Sequence, residues 1–298
     1  MKKWYRSVLG MLFFFIGISI FFYPTIEAWH LEKTTEKYIE EFEEEYKETP
    51  EPDRQAKDSK WQDPVYQRCR QYNQTIFSEK QKGFMDPWSC VQIPFGLEQV
   101  EELGYIEIPS MNLLLPLHFG ASQQNMARGA VVLAQTSLPV GGENANCVIA
   151  AHRGYRGAAY FRDIEKLMPE DEVLIHTPWD TLRYLAETAE IIEPCDSDRV
   201  KIQEGRDMVT LLTCHPYRSG GKYRYIVYCV RENENQTEEI KKEKTTEENK
   251  GNEPVVLSSK KDIHREDVLR KVFSAVLLMM SGMLVLQKIR NRKEKYHE

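Results

Sequence analysis

The sequence has no excess of basic residues. Its 298 residues carry 40 Lys and Arg against 46 Asp and Glu, and a net charge of −6 leaves no electrostatic footprint for nucleic acid. It has no internal repeat. Cysteine is scarce enough, six in all, for each to be weighed singly. Aromatic residues are missing from residues 233–261, a run dominated by Glu, Lys, Asn and Thr that reads as a disordered tether. Charge is missing altogether from Val8 to Ile26, "VLGMLFFFIGISIFFYPTI". What remains, 41% hydrophobic and 29% charged, is the composition of a folded protein with one sizeable domain and extensions.

The uncharged N-terminal stretch has close to the roughly 20 residues that span a bilayer as a helix. It follows Lys2, Lys3 and Arg6 and precedes the acidic "EEFEEEYKE", so the positive-inside rule leaves the N-terminus in the cytoplasm. The rival reading is a cleavable signal peptide. Against it, the stretch exceeds the usual h-region of about 7 to 15 residues and no clear small-x-small site follows. A second apolar run, Val272 to Leu286, gives about 22 Å of helix at about 1.5 Å per residue. It is apolar all round, which argues against an amphipathic helix, and Arg270, Lys271 and Lys288 can snorkel to extend it. The expected organisation is a cytoplasmic N-terminus (1–7), a span (8–26), an extracellular helical extension (27–103) and a β-domain (104–232). A charged tether (233–267), a second span (268–288) and a basic cytoplasmic tail (289–298) follow. Both termini then lie inside and the β-domain outside.

Within the extension, Leu31 to Glu48 carries a thin apolar stripe expected of a solvated helix, and the Pro- and charge-rich "TPEPDRQAKD" is expected to break it. After Gly104 eight short runs suit strands: "YIEIP", "LLLPLHF", "GAVVLA", "NCVIAAH", "DEVLIHT", "TLRYLAETAEII", "DMVTLLTC" and "YRYIVYCVR". Only "SQQNMA" and "FRDIEKL" read as helical breaks. The fold class is therefore all-β, a closed barrel or sandwich.

Cys147, Cys195 and Cys229 lie in or beside apolar strands and read as small hydrophobes. Cys69 and Cys90 flank an exterior segment where a disulfide is permitted. Cys214 differs, because it ends a core strand just before His215 and Pro216, where ladder pairing stops. A nucleophilic thiol needs a proton carrier and an oxyanion donor. His264 and His297 fall in the tether and tail, His30 lies at the membrane, and His118 and His176 sit in apolar strands as structural residues. His152 ends another core strand in the polar loop "HRGYRG" and shares the placement of Cys214. His215 is adjacent to the cysteine and so points to the opposite face. Arg224 opens the return strand of the hairpin and comes back toward the thiol, where a guanidinium can hold an oxyanion.

These motifs, "TLLTC", "AAHRG" and "YRYIV", resemble in order and spacing those of the sortase family, over roughly Gly104 to Glu232. "GYIEIPSMNLLLPLHFG", "TSLPVGGENANCVIAAHRG" and the C-terminal apolar run are similar to the class C, pilin-polymerising branch. The resemblance implies an eight-stranded sortase barrel on the outer face of a Gram-positive cell, with Cys214 as nucleophile, His152 as general acid/base and Arg224 as transition-state stabiliser. Thr213 of the TLxTC motif is taken with it as a substrate-binding residue. The loop from Cys214 to Arg224 is about one residue longer than the commonest class C form, which leaves Arg218 and Lys222 as alternatives; Arg224 alone opens an apolar strand. Class C members carry a lid whose Asp-Pro-aromatic tripeptide plugs the site, and Asp86, Pro87 and Trp88 match it, although a second Asp-Pro pair stands at Asp63–Pro64.

The implied reaction is transpeptidation: cleavage of an L-P-x-T-G-like sorting signal between Thr and Gly, a thioester on Cys214, and transfer to the lysine amine of a pilin subunit. No cofactor and no metal are expected. Three alternatives stay open: a sortase that anchors surface proteins to peptidoglycan, a non-catalytic membrane-tethered adhesive β-domain, and a zinc site of His152, Cys214 and His215, for which the sequence offers no fourth ligand.

Overall fold

The computed structural model describes residues 2–47, 60–84, 102–232, 261–276 and residue 279. Eight strands close into a barrel in the order β1-β2-β3-β4-β7-β8-β6-β5. They are β1 (Glu102–Ile108), β2 (Leu113–Phe119), β3 (Ala130–Val132), β4 (Ala145–Ala150), β5 (Glu172–His176), β6 (Thr181–Ile192), β7 (Asp207–His215) and β8 (Tyr223–Arg231). All eight expected runs are strands. Pairing is antiparallel except for β2 with β3 and β4 with β7.

The apolar residues divide by parity. Ile106, Leu117, Ile149, Ile175, Leu211 and Val227 belong to one buried cluster, the barrel interior. Val148, Ala150, Met208, Leu212, Ile226 and Tyr228 form a second cluster with Phe84, Val131, Ile192 and Val200. Successive side chains of a strand point to opposite faces, so β4, β7 and β8 are apolar on both faces and read as continuous runs. The second cluster covers the outer wall where these three strands adjoin.

Two of the helices dock on this barrel. Helix α1 (Lys2–Lys47) is a single 46-residue helix with Pro24 inside it. The span expected at 8–26 and the helix expected from Leu31 therefore run on without a break, because the shift from apolar to acidic residues changes the solvent a helix suits and not its backbone. Its N-terminal part is long and apolar enough to cross a membrane. Its C-terminal part lies along β1: the Tyr38 hydroxyl donates to the Gly104 carbonyl (3.2 Å), and the Tyr105 hydroxyl donates to Glu43 (2.9 Å). Helix α2 (Pro64–Ser78) starts at Asp63, whose Oδ1 accepts from the amides of Val65 (2.7 Å) and Tyr66 (3.1 Å) while its Oδ2 accepts from the Trp179 indole (2.9 Å). The Asp63–Pro64 pair is thus a helix cap with proline at the first helical position. Helix α3 (Gln123–Arg128) connects β2 to β3 and a 3-10 segment (Tyr160–Lys166) follows β4, matching the two expected helical breaks.

Residues 261–276 form a helix, which covers only the first part of the span expected at 268–288. The lid residues Asp86, Pro87 and Trp88, the break expected at 49–58, and residues 233–260 of the expected tether lie outside the described residues. So does Cys90; its candidate partner Cys69 is a free, buried thiol of α2. Cys195, expected to behave as a hydrophobe, is exposed beyond the end of β6.

Gly104 has φ +117°, and a Cβ there would lie 1.8 Å from the His176 carbonyl oxygen of the paired strand. Only glycine fits both the dihedral and the approach. Gly104→Ala is expected to destabilise the barrel by about 3 kcal/mol or more, measured as a fall in the urea midpoint at unchanged m-value.

Candidate active site

The site is built where three neighbouring strands end. In the parallel pair β4/β7, Ala145 stands opposite Asp207 and Ala150 opposite Leu212. Two further bonds carry that pairing past the end of β4: the Ala151 amide donates to the Leu212 carbonyl (3.1 Å), and the Thr213 hydroxyl donates to the Ala151 carbonyl (2.7 Å). His152 and Cys214 each follow one residue later. In the antiparallel pair β7/β8, Cys214 stands opposite Arg224. By strand alternation Cys214 and Arg224 continue the rows of Leu212 and Ile226 on the outer face, and His152 stands two residues past the end of β4 beside them. The structure thus brings the three predicted residues to one edge of one wall.

The loop from Pro216 to Lys222 closes over them. A Cβ built on Gly221, at φ +83°, would lie 3.2 Å from Cys214 Sγ and 2.9 Å from Arg224 Nη1, so thiol and guanidinium both lie about one atom's contact from the same point. Arg224 Nη1 donates to the Gly221 carbonyl (2.7 Å) and the Tyr223 carbonyl (3.2 Å). Among the described residues no carboxylate pairs with it. Arg218 and Lys222, the alternatives for this role, are exposed on the loop.

His152 is half-buried. Its ring stacks on Tyr155 at 4.6 Å and 15° and meets Tyr160 edge-on at 6.0 Å. Tyr160 is in turn tied to α3 through its hydroxyl, which donates to the Ala127 carbonyl (2.8 Å). Burial lowers the His152 pKa below the ordinary histidine value. The ring is thereby biased toward the neutral form that can accept a proton.

Cys214 contrasts with the other thiols inside the fold. Burial pushes Cys69 up to about 12 and raises Cys147 and Cys229 further, which keeps them protonated and unreactive. Cys214 is partly exposed at the strand end.

Thr213, expected to bind substrate, is 1% exposed. It faces the interior with Leu211, opposite to Cys214, and its hydroxyl is engaged by the Ala151 carbonyl, which ties β7 to the end of β4. His215 is fully buried on the same interior face, where its Nδ1 lies 3.2 Å from Arg153 Nη1. It turns away from Cys214, so the zinc set of His152, Cys214 and His215 is not assembled. Among the described residues no other group of His, Cys, Asp and Glu forms one. Sequence reasoning missed Tyr155 and Tyr160, which fix the His152 ring; their place in the loop directly after "AAHRG" was the available signal.

A family model described as the Sortase domain matches residues 106–232. Sortase C of Streptococcus pneumoniae, described with reference to pilin substrate specificity, is structurally similar with a TM-score of 0.54 and 31% identity, over 66% of this chain and 97% of that one. Sortase C of Clostridium perfringens is similar with a TM-score of 0.52 and 32% identity, over 66% of this chain and 99% of that one. Sortase A of Bacillus anthracis is 27% identical over 132 residues, 44% of this chain and 60% of that protein, so the match spans less than two thirds of this curated relative.

The buried imidazole carries a consequence for stability. In the unfolded chain the ring titrates near ~6.5, and its folded pKa is lower. The unfolded state therefore binds more protons between the two values, and the stability conferred by burying a neutral ring is complete above ~6.5 and lost as pH falls from there through the lower folded pKa. Urea titrations of wild type and His152→Gln at about pH 7.5 and about pH 5 are expected to give a smaller acid-induced loss in the variant; equal losses would contradict the assignment.

Proposed function

The chain belongs to the sortase family, with class C members among its structural neighbours, and from this we propose that it is a membrane-anchored cysteine transpeptidase. The observation that carries the reading is the convergence of His152, Cys214 and Arg224 on one barrel edge, fixed by the β4/β7 and β7/β8 registers. His152, neutral at rest, takes the Cys214 thiol proton, and the thiolate attacks the threonine carbonyl carbon of an L-P-x-T-G-like sorting signal. The C=O electron pair moves to oxygen, whose negative charge the Arg224 guanidinium offsets. His152, as imidazolium, gives its proton to the glycine nitrogen as the C–N bond breaks, leaving a thioester on Cys214. An incoming amine then attacks the same carbon; His152, now neutral, takes the amine proton, and the thiolate leaves as the new amide forms.

The acceptor is proposed to be a lysine of a pilin subunit, so that repeated cycles build a covalent polymer. Class C neighbours support this, one of them described with reference to pilin substrate specificity. If the acceptor is a cell-wall peptide amine, the product is an anchored surface protein. The two are told apart by which amine resolves the thioester.

We also propose a two-pass topology. The apolar N-terminal part of α1 crosses the membrane once, and residues 268–288 cross it again, with the barrel on the outer face and basic residues at both cytoplasmic ends.

Incubation of the barrel with a sorting peptide should add one acyl fragment to Cys214 by mass spectrometry. Cys214→Ala should abolish the adduct, and His152→Ala or Arg224→Ala should slow its formation by ~10²-fold or more. Retained transpeptidation by Cys214→Ala would remove Cys214 as the nucleophile, and no adduct on the wild-type barrel would remove the enzymatic reading. Protease added to intact protoplasts should digest the barrel and leave both termini protected; a C-terminal tag accessible from outside would refute the second crossing.

A further inference from the structure

Each residue of the outer-face site is followed directly by a residue of a second polar group on the inner face. Arg153 follows His152, His215 follows Cys214 and Tyr225 follows Arg224; strand alternation sends His215 and Tyr225 through the wall, and Arg153, in the loop past β4, reaches the same group by its side chain. There they meet one another and Glu165 of the 3-10 segment. Arg153 Nη2 pairs with Glu165 Oε1, Arg153 Nη1 lies 3.2 Å from His215 Nδ1, and Arg153 Nε donates to the Arg162 carbonyl (3.2 Å). The guanidinium lies over the Tyr225 ring at 5.5 Å, and the His215 ring packs on Tyr225 at 5.6 Å. A guanidinium can only donate, so His215 Nδ1 accepts from Arg153; Glu165 Oε1, 3.5 Å away, stands beyond a good hydrogen bond.

Arg153, Glu165 and His215 are 5%, 9% and 0% exposed. A buried ion pair is a poor source of stability, since well-packed apolar side chains commonly do as well. What it supplies is geometry: a planar fork whose donors fix the spacing of their partners. We propose that Arg153, Glu165 and His215 are positioning residues that hold the ends of β4, β7 and β8 at the spacing the outer-face chemistry requires. None of them touches substrate. The group acts through the backbone, because displacing Arg153 or His215 displaces His152 or Cys214 at the next Cα.

The inference rests on the sortase reading, and the experiment separates the two. The double variant Arg153→Met/Glu165→Leu removes both charges together and leaves neither buried alone. It is expected to melt within a few degrees of wild type, to keep the KM for sorting peptide, and to lose about ten- to a hundredfold in kcat, the cost of misplacing reacting groups by about 1 Å. Alkylation of Cys214 by a small thiol reagent, which needs no peptide, is expected to show a displaced pH profile. Wild-type kcat with an unchanged alkylation profile overturns the proposal, and so does a rate loss that only tracks a fall in Tm. If the double variant does not fold, His215→Asn, which offers an amide oxygen near the Nδ1 position, is compared with His215→Leu. Asn retaining the rate and profile that Leu loses supports positioning, and equal behaviour overturns it. Should wild type form no thioester, the sortase reading fails, and the alkylation profiles alone decide whether these residues position Cys214.

Discussion

One register governs the working edge of this barrel: Ala150 opposite Leu212 in the parallel pair of β4 and β7. Strand side chains alternate with a period of two, so a slip of one residue would turn every β7 side chain to the other face. Cys214 would then turn to the interior and His215 to the outer face. Two contacts just beyond the ladder guard against this. The Ala151 amide continues the pairing, and the Thr213 hydroxyl holds the Ala151 carbonyl. The threonine of the TLxTC motif is thus spent on alignment, and β8 reads the same alignment onward by setting Arg224 opposite Cys214.

Chemical difference among like groups follows from where the wall puts them. Three cysteines packed into the fold have thiols that burial holds protonated, while the one at a strand end is partly exposed, with Gly221 standing close to both its sulfur and the Arg224 guanidinium. Two histidines stand next to the site in sequence or space and divide in the same way. His152 rests between tyrosine rings on the outer face, and His215 is enclosed with Arg153 and Glu165 on the inner.

Much of this was legible because the barrel is dry on both sides where it matters. Strands covered inside and out are written as apolar runs, and polar residues that end such runs stand out, which is how His152, Cys214 and Arg224 declared themselves. Strand order was not legible, since the two parallel pairs depend on crossovers that no local pattern records. Nor was the continuity of α1, because the change from Phe and Ile to Glu and Lys marks a change of surroundings while the backbone carries on. The face of Thr213 was not legible either, because its position beside Cys214 says nothing of it until parity is applied to it as well. Glu165 was invisible for a different reason. It stands twelve residues after Arg153 in a segment that reads as a surface helix, and only folding brings its carboxylate under the strand ends.

The closed ring of eight strands has a further consequence for recognition. A sheet with a free margin can take up an extended peptide as one more strand, through main-chain bonds that are indifferent to sequence. In the order β1-β2-β3-β4-β7-β8-β6-β5 every strand already has two neighbours, so no strand offers a margin free along its whole length, and only short stretches such as the part of β2 beyond the three residues paired with β3 lack a partner. A peptide brought to this wall therefore relies chiefly on side chains and loops, and the same closure that stabilises the fold makes selectivity for a short segment a matter of shape.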